Sequence, residues 1–173
     1  MHYGNNKPKY IRYLIYVAVI TLAAVLQNSA GGISDFFGAR VFYVLPACVC
    51  IAMFEREVAA AVFGAYAGVL LDVSSANDGF NAVVLLLLCA TASLLISHFM
   101  RNNILTAFVI GAGAVFVYTL VYIIVNLFVC GAGLSVKHFF TFYLASGVCT
   151  LVFIPVFYFL TAHLYDAHKT TDE

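Results

Sequence analysis

From Val41 to Asp72 the chain reads VFYVLPACVCIAMF, then ERE, then VAAAVFGAYAGVLL, then Asp72: two apolar stretches of 14 residues, Val41–Phe54 and Val58–Leu71, held apart by Glu55-Arg56-Glu57. Fourteen helical residues rise only about 21 Å, whereas a hydrocarbon layer about 30 Å thick takes roughly 20 residues to cross. Three arrangements compete: two short spans turning at the charged triplet, a re-entrant hairpin, or one long helix with three charges at mid-membrane. A charge at the bilayer centre costs about 2.5–3.5 kcal/mol even on the lenient insertion scale. That favours a hairpin whose turn reaches the interface.

Outward from this block, four further stretches lack Asp, Glu, Lys and Arg: Tyr13–Ser34, Gly79–Met100, Asn102–Val136 and His138–Tyr165. Each is long enough to span unaided, and a backbone in lipid must bond internally, so each is expected to be helical. No β-barrel alternation runs through them. The expected fold is an all-α integral membrane protein of about six transmembrane helices, the second and third short. The corresponding organisation is an amino tail over 1–12, a multi-pass domain over 13–165 and a carboxyl tail over 166–173. Composition agrees: 64% of residues are hydrophobic and 9% charged, barely a third of the roughly 25% charge of a soluble domain. Net charge is zero, so the basic field that gathers nucleic acid is missing and nucleic-acid binding is not expected.

Six spans put both termini on one side. That side would hold Lys7, Lys9, Arg12, Arg56, Arg101 and Lys169, and the other only Arg40 and Lys137, which by the positive-inside rule makes the termini cytoplasmic. Lys7, Lys9 and Arg12 before an apolar run also resemble a signal peptide with Ser29-Ala30-Gly31 as a cleavage region. The run exceeds the usual 7–15 residue h-region, however, and further spans follow, so an uncleaved first helix is expected.

Chemistry-bearing residues are scattered. Cys48, Cys50, Cys89, Cys130 and Cys149 form no C-x-x-C pair and read as small apolar side chains. His2, His98, His138, His163 and His168 make no H-E-x-x-H pair, and His163 and His168 are not at the spacing that aligns two ligands on one helix face. No catalytic, metal or cofactor residue is assigned. Gly111-Ala112-Gly113 lies inside an apolar helix and reads as a packing site instead of a dinucleotide loop.

The informative pattern is Ala60-x3-Gly64-x3-Gly68-x3-Asp72. Steps of four keep small residues on one stripe, where another helix can approach backbone to backbone. Beyond it, Asp72 to Ala82 is rich in turn and cap residues, and Asn77, Asp78 or Asn81 would cap the fourth helix. The bland explanation is a tightly packed hairpin with a solvated polar turn; the alternative gives Asp72 a ligand, ion or partner.

These elements in order resemble the family of the rod shape-determining protein MreD. They are Leu26-Gln27-Asn28-Ser29 closing the first helix, Leu45-Pro46 opening the second block and Phe54-Glu55-Arg56-Glu57 before the stripe. Most specific is Gly64-Ala65-Tyr66-Ala67-Gly68-Val69-Leu70-Leu71-Asp72, continued by Gly79-Phe80-Asn81-Ala82 and a Leu-rich helix. The similarity covers residues 13 to 100 by motif. It implies a non-enzymatic scaffold of the bacterial cell membrane that associates with the bitopic protein MreC and, through it, with the MreB filament and the peptidoglycan polymerase and transpeptidase. The family fold is also similar to the six-helix substrate-binding subunits of vitamin transporters, which supplies the rival function. That rival would need an external pocket from Asp72, Ser74, Asn77, Asp78 and Asn81. The positions carried over as packing or partner contacts are Ala60, Gly64, Gly68, Asp72, Gly79, Asn81 and Ala82. A third possibility, an intramembrane hydrolase or transferase using Glu55, Glu57 or His98, ranks last.

Overall fold

The computed structural model describes residues 7–29, 35–36, 39–40, 42–75, 79–99, 102–130 and 136–167. Six helices follow one another: α1 Lys7–Asn28, α2 Val44–Phe54, α3 Glu57–Ser75, α4 Phe80–His98, α5 Ile104–Cys130 and α6 Val136–Ala167. Between α1 and α2 a two-residue antiparallel ladder pairs β1 Asp35–Phe36 with β2 Ala39–Arg40. Five of the helices, all but α2, are long and apolar enough to cross a membrane. Apart from that short ladder the described elements are helical, and the protein is an all-α, multi-pass membrane protein.

The centre of the bundle is α2. Every residue from Val44 to Met53 is buried, and a helix apolar on all sides belongs in a core. It packs against each of the five others. With 11 residues it rises about 16 Å, shorter than its 14-residue apolar stretch, and its ends are finished by side chains from elsewhere. Pro46 sits in its first turn, where a missing N–H costs nothing. The free N–H of Val44 donates to Gln27 Oε1 at 3.0 Å, and that of Phe42 to Thr150 Oγ1 at 3.2 Å. At the other end Asn102 Nδ2 donates to the Met53 carbonyl at 3.2 Å and Ser93 Oγ to that of Glu55 at 2.7 Å. Part of what a helix terminus leaves unmatched is thus met within the protein.

The third segment is not short. The expectation of a short apolar segment whose helix ends at Asp72 treated that charge as a terminator, whereas α3 runs 19 residues, through Asp72 to Ser75, about 28 Å. The carboxylate is tolerated because a neighbouring helix end takes it up. Likewise α1 starts at Lys7, ahead of Tyr13, and ends at Asn28. Arg12 lies on its buried face with Tyr16, Ile20 and Ala23, at helical spacing.

The closest helix pair is α3 on α4; α5 packs on α6, while α4 and α5 touch little. On α5, Gly111 receives the Ile154 side chain of α6, but Gly113 faces open space. The expected Gly111–Gly113 packing site is therefore Gly111 alone. Side-chain contacts bring together one end of all six helices: the starts of α1, α3 and α5 and the ends of α2, α4 and α6.

Candidate functional site

The glycine stripe is an internal seam. Ala60, Gly64, Ala67 and Gly68 are buried along α3. A methyl added at Gly64 would stand 2.5 Å from the Leu85 carbonyl oxygen and 2.9 Å from Cys89 Cβ; at Gly68 it would stand 2.5 Å from the Ala82 nitrogen and the Asn81 carbonyl oxygen. No such approach is open to a side chain, so the two backbones meet where glycine alone fits.

One turn beyond Gly68 the seam ends in a charge-assisted clasp. Asp72 Oδ1 accepts the backbone N–H of Asn81 at 3.0 Å and Oδ2 that of Ala82 at 2.9 Å. These are first-turn amides of α4, which lack partners within their own helix and carry the positive end of its dipole. Gly79 holds the N-cap position at φ 82°, with no side-chain cap, a left-handed conformation that suits glycine. Asp72 therefore caps α4 from another helix. Of the three residues expected to cap it, Asn77 and Asp78 lie outside the described residues. The third, Asn81, is turned elsewhere: its Oδ1 accepts the Tyr118 hydroxyl at 2.8 Å. That bond ties α5 to the hairpin. Asn28 Nδ2 donates to Ser74 Oγ at 2.8 Å, and Thr21 Oγ1 lies 2.9 Å from the Tyr66 hydroxyl, tying α1 to α3.

The opposite end holds a second fastening that spacing did not suggest. Arg12 Nε lies 2.8 Å from Glu55 Oε1, with side chains 0% and 3% exposed. Tyr13 donates its hydroxyl to Glu55 Oε2 at 3.2 Å, and the Arg12 guanidinium stacks 4.7 Å above the Tyr165 ring. One arginine thus joins α1, the α2–α3 turn and α6. The turn does not present all three charges outward: Arg56 is exposed, but Glu55 is buried. The visible signal was positional, since Arg12 shares the face of Tyr16 and Ile20.

Of the residues weighed for hydrolysis, Glu57 and His98 meet on one serine. Ser97 Oγ lies 3.3 Å from Glu57 Oε1 and 2.8 Å from His98 Nδ1. A serine nucleophile needs the imidazole on its hydroxyl and the carboxylate on the far side of the imidazole. Here the carboxylate meets the serine, so the order of a triad is not made. Among the described residues no three His, Cys, Asp or Glu side chains are grouped to hold a metal. Cys48, Cys50 and Cys89 are buried free thiols in the core.

No family model, curated protein or solved structure matches the chain.

Proposed function

We propose that this protein is a non-enzymatic scaffold subunit of the bacterial cell-elongation machinery, of the MreD type, that holds a single-span MreC-like partner in the cell membrane. The observation that carries this reading is the placement of the motif residues. Gly64, Gly68, Asp72, Gly79, Asn81 and Ala82, positions carried over from the resemblance, all fall at the α3–α4 junction, as one clasp. The clasp's polar groups fasten helices to one another, Asp72 to α4, Asn81 to Tyr118 and Ser74 to Asn28, and at the other end of the bundle Glu55 is fastened to Arg12. A rigid helical frame is what a scaffold requires.

On this reading α2 is a sixth, abbreviated crossing sheltered by the others, and both termini face the cytoplasm, where the excess of Lys and Arg belongs. The partner's helix would dock on an outer face by van der Waals packing and interhelical hydrogen bonds, since apolar burial offers little between two helices already in lipid. Through that partner the protein would act on the MreB filament and on peptidoglycan polymerase and transpeptidase. The transporter alternative draws on fewer residues, because Asp72, Ser74 and Asn81 are already engaged within the bundle.

The test is co-purification with depletion. The tagged full chain should retain a one-span protein with an extracellular coiled coil, and its depletion should round rod-shaped cells. Recovery with a transporter ATPase module and a bound vitamin, and with no elongation protein, would reverse the assignment.

A further inference from the structure

The α2–α3 turn and the last turns of α4 enclose an open groove of about 500 Å³, within the range of small-ligand sites. Met53, Phe54 and Ile96 supply its apolar wall, and Arg56, Glu57 and Ser97 its polar rim. Two charges of opposite sign stand on adjacent residues of that rim without pairing. Glu55, their neighbour, is engaged by Arg12 and Tyr13. The exposed Arg56 guanidinium makes no hydrogen bond or ion pair among the described residues. Glu57 is bonded through Oε1 to Ser97 alone. The backbone N–H groups that open α3 also point from this turn, with Ala60 the first to be bonded, to the Arg56 carbonyl at 2.9 Å.

The groove lies at an end of helices long enough to cross the bilayer, the depth at which such helices meet lipid headgroups. The ligand that matches a cation, an anion and an apolar wall in so small a space at that depth is itself zwitterionic and amphipathic. We propose that the groove seats the headgroup of an aminophospholipid of the phosphatidylethanolamine type. Its phosphate meets Arg56 and the opening N–H groups of α3. Its primary ammonium donates to Glu57 and Ser97, and its glycerol and first methylenes lie along Met53, Phe54 and Ile96. Phosphatidylcholine has the same phosphate but no N–H to donate. Phosphatidylglycerol has the same phosphate but offers Glu57 only neutral hydroxyls, without the charge of an ammonium. This assignment stands apart from the scaffold reading.

The experiment is native mass spectrometry of the detergent-solubilised full chain with short-chain phosphatidylethanolamine, phosphatidylcholine or phosphatidylglycerol, and with soluble phosphoethanolamine. The wild type should retain phosphatidylethanolamine about tenfold better than phosphatidylcholine, the scale of one charge-assisted hydrogen bond. Glu57→Gln should bring phosphatidylethanolamine down to the phosphatidylcholine level, and Arg56→Gln should lower both. Equal retention of the two by the wild type overturns the proposal without recourse to a variant. So does a preference for phosphatidylglycerol, an unchanged Glu57→Gln protein, or soluble phosphoethanolamine competing as well as the lipid.

Discussion

Asp72, in the last turns of α3, holds the backbone N–H of Asn81 in the first turn of α4 at 3.0 Å, and with it that of Ala82 at 2.9 Å. A capping oxygen normally comes from the residue just before the helix. Here that residue is Gly79, which has none to offer, so the cap arrives from across the seam. Asp72→Ala is expected to lower stability by about 1–2 kcal/mol, the scale of a lost cap. Asp72→Asn, keeping one acceptor oxygen, should lose less. Thermal unfolding in detergent measures both, and an Ala variant as stable as the wild type would remove the cap from the account.

The glycines divide into two classes by what faces them. Gly64→Ala and Gly68→Ala press a methyl onto backbone atoms of α4 and should each cost about 1–3 kcal/mol, the range for overpacking; leucine at either site should abolish the folded form. Gly113→Ala meets nothing within 4 Å and should raise stability by about 0.5–1 kcal/mol through helix propensity. Membrane abundance and unfolding temperature of the three alanine variants report the contrast. Equal effects at Gly68 and Gly113 would contradict the seam.

For Arg12 and Glu55 the expected pattern is non-additive. Removing either partner strands a buried charge, at about 3–5 kcal/mol, so Arg12→Met and Glu55→Gln should each be severely destabilised. The double variant leaves no buried charge and should recover much of the loss. A double-mutant cycle supplies the coupling energy. A value near zero would mean that the two groups do not form a pair in the folded protein.

Tyr118→Phe deletes the bond to Asn81 that ties α5 to the hairpin. Hydrogen bonds between membrane helices average about 0.6 kcal/mol, so overall stability should fall only slightly. The sensitive measurement is local. Spin labels on the exposed residues Leu87 of α4 and Phe116 of α5 should show a broader distance distribution in the variant. An unchanged distribution would show that other contacts hold the two helices.

Much of the α3–α4 junction was legible because its logic is periodic. Steps of four from Ala60 to Asp72 define a stripe in any helix, and a turn-rich segment before a Leu-rich run announces a reversal. The length of α3 was not legible, because Asp72 looked like a boundary until its two backbone partners were visible. Nor was the capping residue, since a cap delivered from another helix leaves no mark in the residues just before α4. Arg12 and Glu55 are remote in sequence, and their pairing depends on how α1 is rotated. Composition marked α2 as apolar. That it lies at the centre, walled in on every side, followed only from packing.

The fastenings of α2 carry a consequence for how the protein is made. Of the side chains named above that bond the backbone at its two ends, Gln27 precedes it, whereas Ser93, Asn102 and Thr150 follow. When the ribosome has just completed α2, that helix has neither its wall of neighbours nor most of its terminal partners, and it is too short to cross a bilayer alone. It must wait at the insertion machinery or the membrane surface until the later helices arrive. The innermost element of the bundle is therefore the last to be completed, and chains that stop before Thr150 should be recognised and degraded as unfinished.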